Sequence, residues 1–184
     1  MSEKAFGFKI TVVGDAAVGK TSLIKRYTTN TFEKDYISTL GMQFSRYEES
    51  LGGEKVELFI WDLAGQESFS SLRDRFYKGS RGAIIVFSLA PEEIETYRSI
   101  NKWLSNIKEA CGSIPILLLG NKADLIDQNA IASSPNYETS DVHVKKFAQE
   151  HNIIEYFRTS ALTGQGVKEA FQTLIFKLYQ RATI

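Results

Sequence analysis

The sequence predicts an α/β domain built on a largely parallel sheet, and three observations carry that expectation. Strand-like and helix-like segments alternate along most of the 184 residues. Gly82–Phe87, Ile114–Leu119 and Ile153–Phe157 are short apolar runs of the kind found in strands buried on both faces. Finally, Gly14–Thr21 stands between an apolar strand-like run, Phe8–Val13, and a helix-like run, Ser22–Tyr27.

Taken in order, Phe8–Val13 is the first strand and Ser22–Tyr27 opens the first helix. Gly41–Tyr47 and Val56–Trp61 read as two strands, and Gly52-Gly53 between them signals a hairpin, so this pair is expected to be antiparallel. The run Gly82–Phe87 follows as a buried strand. Pro91–Ala110 then carries Ile94, Tyr97, Ile100, Leu104 and Ile107 at helical spacing and is expected to be one helix. After the Ile114–Leu119 strand comes Ile126–Thr139, whose Ser133-Ser134-Pro135-Asn136 composition predicts a surface loop, most simply a tolerated insertion. Ile153–Phe157 is the last strand. Val167, Phe171, Leu174, Ile175 and Leu178 mark the core-facing stripe of a final helix. The whole chain, 1–184, reads as one domain.

Composition narrows the partners. With 22 basic and 22 acidic residues the formal net charge is zero, which argues against nucleic acid as a partner. Cys111 is the only cysteine, so a disulfide framework is excluded and a cytoplasmic setting is expected. Met1-Ser2-Glu3-Lys4 is neither a signal peptide nor a myristoylation signal, and Gln180–Ile184 holds no cysteine to prenylate. Membrane contact is therefore expected only peripherally, through a partner or an anchor absent from this chain.

The polar clusters carry the chemistry. Gly14-Asp15-Ala16-Ala17-Val18-Gly19-Lys20-Thr21 fits Gly-x-x-x-x-Gly-Lys-Ser/Thr. Its glycines let backbone N–H groups from Asp15 to Ser22 turn toward phosphate oxygens, at a helix N-terminus whose dipole favours anions. Lys20 would reach the outer phosphates and the Thr21 hydroxyl would take a Mg²⁺ position. In an open parallel sheet, ligands sit beyond the carboxyl ends of the strands, and the remaining clusters all fall there. Asp62 follows a strand and would help hold Mg²⁺; Gly65 would offer an N–H to a terminal phosphate, and Gln66 would orient a water. Asn121-Lys122-Ala123-Asp124 follows another. One carboxylate accepts guanine N1–H and N2–H₂ together, whereas adenine presents an acceptor at N1, so Asp124 suits guanine. Ser160 would fix that carboxylate, and the Ala161 N–H would donate to the guanine O6. Phe32 would stack on the base edge, and Thr39 would complete the Mg²⁺ shell beside a third phosphate.

These motifs, in this order, resemble those of the small GTPases of the Ras superfamily over almost the whole chain. Tyr36–Gly41, Trp61-Asp62, Gly65-Gln66-Glu67 and Phe76–Gly79 are most similar to the Rab branch. The resemblance implies a P-loop GTPase (G domain): three α/β/α layers on a six-stranded, mostly parallel sheet with one antiparallel edge strand. It also implies a GTP/GDP switch that hydrolyses GTP with Mg²⁺ held by Thr21, Thr39 and Asp62, acting in vesicle or membrane trafficking. Lys20 and Gln66 would be the catalytic residues. Nucleotide would lie against Asp15–Ser22, Phe32, Thr39, Gly65, Asn121, Lys122, Asp124, Ser160, Ala161 and Leu162. Effectors, exchange factors and GTPase-activating proteins would meet the switch loops, Phe32–Gly41 and Asp62–Tyr77, with Phe44, Trp61 and Phe76 as an aromatic triad, and the protein is expected to be a monomer.

The chain departs from the family pattern in several places. Leu63 stands where the family usually has threonine, Ala16 where Ras has glycine, and Leu162 where many members have lysine. No arginine lies between Phe32 and Thr39, so slow intrinsic turnover, stimulated by an activating protein, is expected. Leu63 leaves open an alternative, a GTP-binding scaffold with little or no hydrolysis. A P-loop kinase would need an arginine-rich lid, for which the sequence has no suitable cluster.

Overall fold

A computed structural model describes residues 5–32, 39, 41–65, 75–127 and 138–183. Its six strands are β1 (Ala5–Val13), β2 (Met42–Leu51), β3 (Glu54–Leu63), β4 (Gly82–Ser88), β5 (Ile116–Asn121) and β6 (Glu155–Arg158). They form one sheet in the order β2-β3-β1-β4-β5-β6, parallel throughout except for β2, which runs antiparallel to β3 at the edge. The helices are α1 (Lys20–Thr29), α2 (Glu95–Arg98), α3 (Ile100–Cys111), α4 (Asp141–Glu150) and α5 (Val167–Thr183).

The apolar runs divide their side chains between two cores, because successive strand residues point to opposite faces. Ile84, Val86, Leu117 and Leu119 join Leu23 and Ile24 of α1 and Phe171, Leu174 and Ile175 of α5 on one face. Ala83, Ile85, Phe87, Ile116 and Leu118 meet Trp103, Leu104 and Ile107 of α3 and Val144 and Ala148 of α4 on the other. Burial on both sides is what makes these strands continuously apolar, and each buried Leu or Ile contributes about 1.5–3 kcal/mol.

The hairpin turns through Gly52 and Gly53 at φ 61° and 86°, the left-handed region a two-residue loop requires. Edge strand β2 is longer than its apolar pattern suggested. Beyond Tyr47 it continues as Glu48–Leu51, and charge pairs such as Arg46–Glu57 at 2.7 Å and Lys55–Glu48 at 2.9 Å lace its exposed surface.

The expected single helix over Pro91–Ala110 is broken. A 3₁₀ turn at Pro91–Glu93, α2 and α3 replace it. Side-chain hydroxyls compete for backbone carbonyls here: Thr96 Oγ1 donates to the Glu93 carbonyl at 2.8 Å while accepting the Ser88 N–H at 2.9 Å, and Ser99 Oγ lies 3.1 Å from the Thr96 carbonyl and 2.6 Å from Asp15 Oδ2.

Parallel strands point the same way, so the carboxyl ends of β1, β3, β4, β5 and β6 lie along one edge. The loops that leave them carry the polar clusters.

Candidate functional site

The loop after β1 is shaped by two glycines that no other residue replaces without collision. Gly14 and Gly19 have φ of 142° and 96°. A Cβ on Gly14 would fall 2.1 Å from the Val86 carbonyl oxygen, and one on Gly19 would fall 2.3 Å from Asn121 Nδ2. Lys20 opens α1 and is 6% exposed; its ammonium donates to the Gly14 and Asp15 carbonyls at 3.0 and 2.8 Å. A buried cation is thus folded back over its own loop, next to the first turn of a helix where Thr21 and Ser22 stand. Gly65, after β3, closes on the same loop, since a Cβ there would meet the Asp15 carbonyl carbon at 2.3 Å and Ala16 N at 2.4 Å.

Thr21, Thr39 and Asp62 converge although they lie on three different segments. The Thr21 hydroxyl donates to Asp62 Oδ2, and the Thr39 hydroxyl lies 2.9 Å from that of Thr21. Asp62 is 2% exposed, and its Oδ1 is buried without a hydrogen-bond partner. Burial pushes this carboxyl above the usual carboxylate range; the Thr21 hydrogen bond and the Lys20 charge pull the other way and do not prevail. Two hydroxyls and a buried carboxylate with an unbonded oxygen form an all-oxygen donor set that fits a hard divalent cation such as Mg²⁺.

Asn121, the last residue of β5, is buried and uses both ends of its amide. Nδ2 donates to the Val18 carbonyl at 2.8 Å, and Oδ1 accepts the Ala161 N–H at 3.2 Å and the Thr159 hydroxyl at 3.4 Å. One side chain therefore joins the loop after β1 to the loop after β6. Asp124 is exposed, and its carboxylate accepts the hydroxyl of the buried Ser160, which in turn accepts the Thr163 N–H at 3.1 Å. Lys122 takes φ 65°, and its ammonium pairs with Glu93 at 2.6 Å. Leu162 lies on the rim, 45% exposed.

Three residues do more, or other, than the sequence suggested. The Ala161 amide expected to face a base donates to Asn121 in this structure. Phe32 is half-buried and packs against the α1–α5 core. Asp15 keeps its backbone in the phosphate loop but turns its carboxylate away to α3. Leu63, the departure that left hydrolysis open, is 1% exposed and packs in the α3–α4 core. Gln66, Tyr36 and the Ser133–Asn136 stretch of the insertion lie outside the described residues.

Two residues were missed. Arg26 of α1 donates through Nε to the Ala161 carbonyl and through Nη2 to the Leu162 carbonyl, each at 2.7 Å. Glu93 grips Lys122. Neither leaves a local signal, because each partner is distant in sequence.

The family model described as Ras family matches residues 9–180. The chain belongs to the Ras family. Rab-4B of Homo sapiens is 38% identical over 167 residues, covering 90% of this chain and 73% of that protein. Rab-13 of Bos taurus is 38% identical over 168 residues, 91% and 77% respectively, and the GTP-binding protein ypt3 of Schizosaccharomyces pombe is 33% identical over 174 residues, 94% and 76%. Within the Ras superfamily of small GTPases the chain is most similar to the Rab branch. The family's G-domain fold agrees with the sheet order and loop placement described above.

On the β2–β3 surface, Phe44, Trp61 and Phe76 lie in sequence, with ring centroids 5.5 and 5.7 Å apart. Phe44 is 48% exposed, and Trp61 and Phe76 are half-buried against the α3–α4 core, so the triad serves packing and presents one open ring. Lys9 caps Trp61, its ammonium 4.5 Å from the ring centroid. Among the described residues no helix is long and apolar enough to cross a membrane.

Proposed function

We propose that this chain is a Rab-like GTP/GDP switch in membrane trafficking that binds guanine nucleotide with Mg²⁺ and hydrolyses GTP slowly. The observation that carries this reading is Asn121. Its buried amide ties Val18 of the phosphate loop to Ala161 of the base loop, whose neighbour Ser160 bonds Asp124, which supports reading Lys20 and Asp124 as parts of one site.

In that site the amides of Asp15–Ser22 and the Lys20 ammonium bind the phosphates. Thr21, Thr39 and Asp62 hold Mg²⁺, which supplies neutralisation of phosphate charge when bound. Asp124, oriented by Ser160, accepts from the two adjacent guanine donors. Gln66 orients the attacking water. Thr39 and Gly65 belong to the two loops that a terminal phosphate would order and its loss release, which makes Phe44, Trp61 and Phe76 a surface readable by effectors and regulators. Burial of Leu63 in the core supports hydrolysis over the scaffold alternative, since its bulk is directed away from the phosphate loop.

Competition titrations test the reading. GDP and GTP are expected to bind far more tightly than ADP and ATP in Mg²⁺, and Asp124→Asn is expected to shift preference toward xanthine nucleotides. Equal competition by ATP overturns it.

A further inference from the structure

The phosphate loop contains an acid, Asp15, where a polyanion is expected to bind. A free carboxylate there would repel phosphates, and more strongly at a site partly shielded from water. The structure turns that carboxylate away. Asp15 Oδ1 accepts the indole N–H of Trp103 at 2.8 Å, and Oδ2 accepts the Ser99 hydroxyl at 2.6 Å. Both carboxylate oxygens are bonded to residues of one helix boundary, 84 and 88 residues away in sequence.

The backbone of Asp15 is held independently of its side chain. Lys20 takes its carbonyl at 2.8 Å, and Gly65 packs against its carbonyl carbon. Trp103 is 2% exposed and wedged in the α3–α4 core, so its N–H is a fixed donor that offers the carboxylate no second orientation. Ser99 joins α2 to α3 with helical backbone angles, its N–H bonded to the Glu95 carbonyl at 3.0 Å, and its hydroxyl lies nearer Asp15 Oδ2, at 2.6 Å, than the Thr96 carbonyl, at 3.1 Å.

We propose that Trp103 and Ser99 are positioning residues for nucleotide binding: they hold the Asp15 carboxylate against α3 and so keep its charge off the phosphates. Both donors are neutral, so the contact acts by directing the carboxylate and not by pairing it with a cation. The inference rests on the guanine-nucleotide reading above and adds α3 to the elements that set nucleotide dwell time.

A mutant cycle on release of a fluorescent GDP analogue tests this, after GDP binding by the parent chain has been confirmed by titration. Ser99→Ala, a mild change at a half-buried position, is expected to speed release about threefold, and Trp103→Phe about tenfold. Each effect is expected to vanish in an Asp15→Ala background, because no carboxylate remains to be restrained. Thermal melts of every variant separate loss of packing at Trp103 from loss of restraint. If either substitution speeds release equally with and without Asp15, the pair is merely structural and the proposal is overturned. Unchanged release in both single variants overturns it too. A parent chain that binds no GDP overturns the nucleotide reading itself, a result visible before the cycle begins.

Discussion

Arg26 and Ala161 are joined by a 2.7 Å hydrogen bond across 135 residues of sequence. The same guanidinium reaches the Leu162 carbonyl at 2.7 Å and the Asn30 carbonyl at 3.2 Å. Helix α1 begins at the loop after β1 with Lys20 and reaches, through Arg26, the loop that carries Ser160 and Ala161. In the proposed site, phosphate and base recognition would share this one helix.

Arg26→Ala is expected to raise the Kd for GDP about tenfold, the scale of losing charge-assisted bonds to two carbonyls. Arg26→Lys should recover only part of this, because a point ammonium does not span two carbonyls as a planar fork does. Isothermal titration calorimetry reads both, and an unchanged Kd for the alanine variant would remove Arg26 from this role.

Gly19→Ala puts a methyl group 2.3 Å from Asn121 Nδ2 at a backbone angle that L-residues disfavour. Asn121 is buried and cannot withdraw without abandoning Val18 and Ala161. A loss of about 2–4 kcal/mol in stability is expected from combined strain and broken buried bonds, with GDP binding abolished. Urea unfolding and nucleotide titration check the two parts separately.

Glu93 and Lys122 provide a pH dependence with a definite sign. Burial alone would push the Glu93 carboxyl up, but hydrogen bonds from Lys122 and Ser88 and the Lys122 charge outweigh it and hold the group below its ordinary value of 4.5. A depressed folded-state pKa means the stabilisation is present above pH 4.5 and is lost as pH falls through the folded value. Against Glu93→Gln, the parent chain is expected to be about 0.5 kcal/mol more stable at pH 7, the scale of a solvent-accessible ion pair. That advantage should fade below pH 4.5, and chemical denaturation at pH 7 and pH 3.5 would show it. A constant difference would contradict the pairing.

Gln66→Leu is expected to slow single-turnover GTP hydrolysis by at least tenfold while leaving GDP affinity within about twofold, because the amide is assigned to water and not to nucleotide. Quenched-flow or phosphate-release measurements decide it. An unchanged rate would take Gln66 out of the mechanism.

Much of this protein was legible before folding because it is written locally. Gly-x-x-x-x-Gly-Lys-Thr is contiguous, the buried strands announce themselves as apolar runs, and the Gly52-Gly53 turn needs only its two φ angles. The placement of Asp62 and Asp124 was readable because each stands at or just past the carboxyl end of a strand, and a parallel sheet delivers every such end to the same edge. Helix α3 illustrates the limit. Its stripe from Ile100 to Ile107 was correct, yet its start was not: Ile94 and Tyr97 lie outside it, where the Thr96 hydroxyl takes the Glu93 carbonyl.

The order and chemistry of the loops were determined by the sequence alone, since glycine placement, strand ends and side-chain type act over a few residues. Only the tertiary structure decided where Asp15 points, what Arg26 holds and where the bulk of Leu63 goes. Those outcomes depend on donors, carbonyls and core space supplied by segments far along the chain, and no local pattern encodes a partner that folding alone brings near.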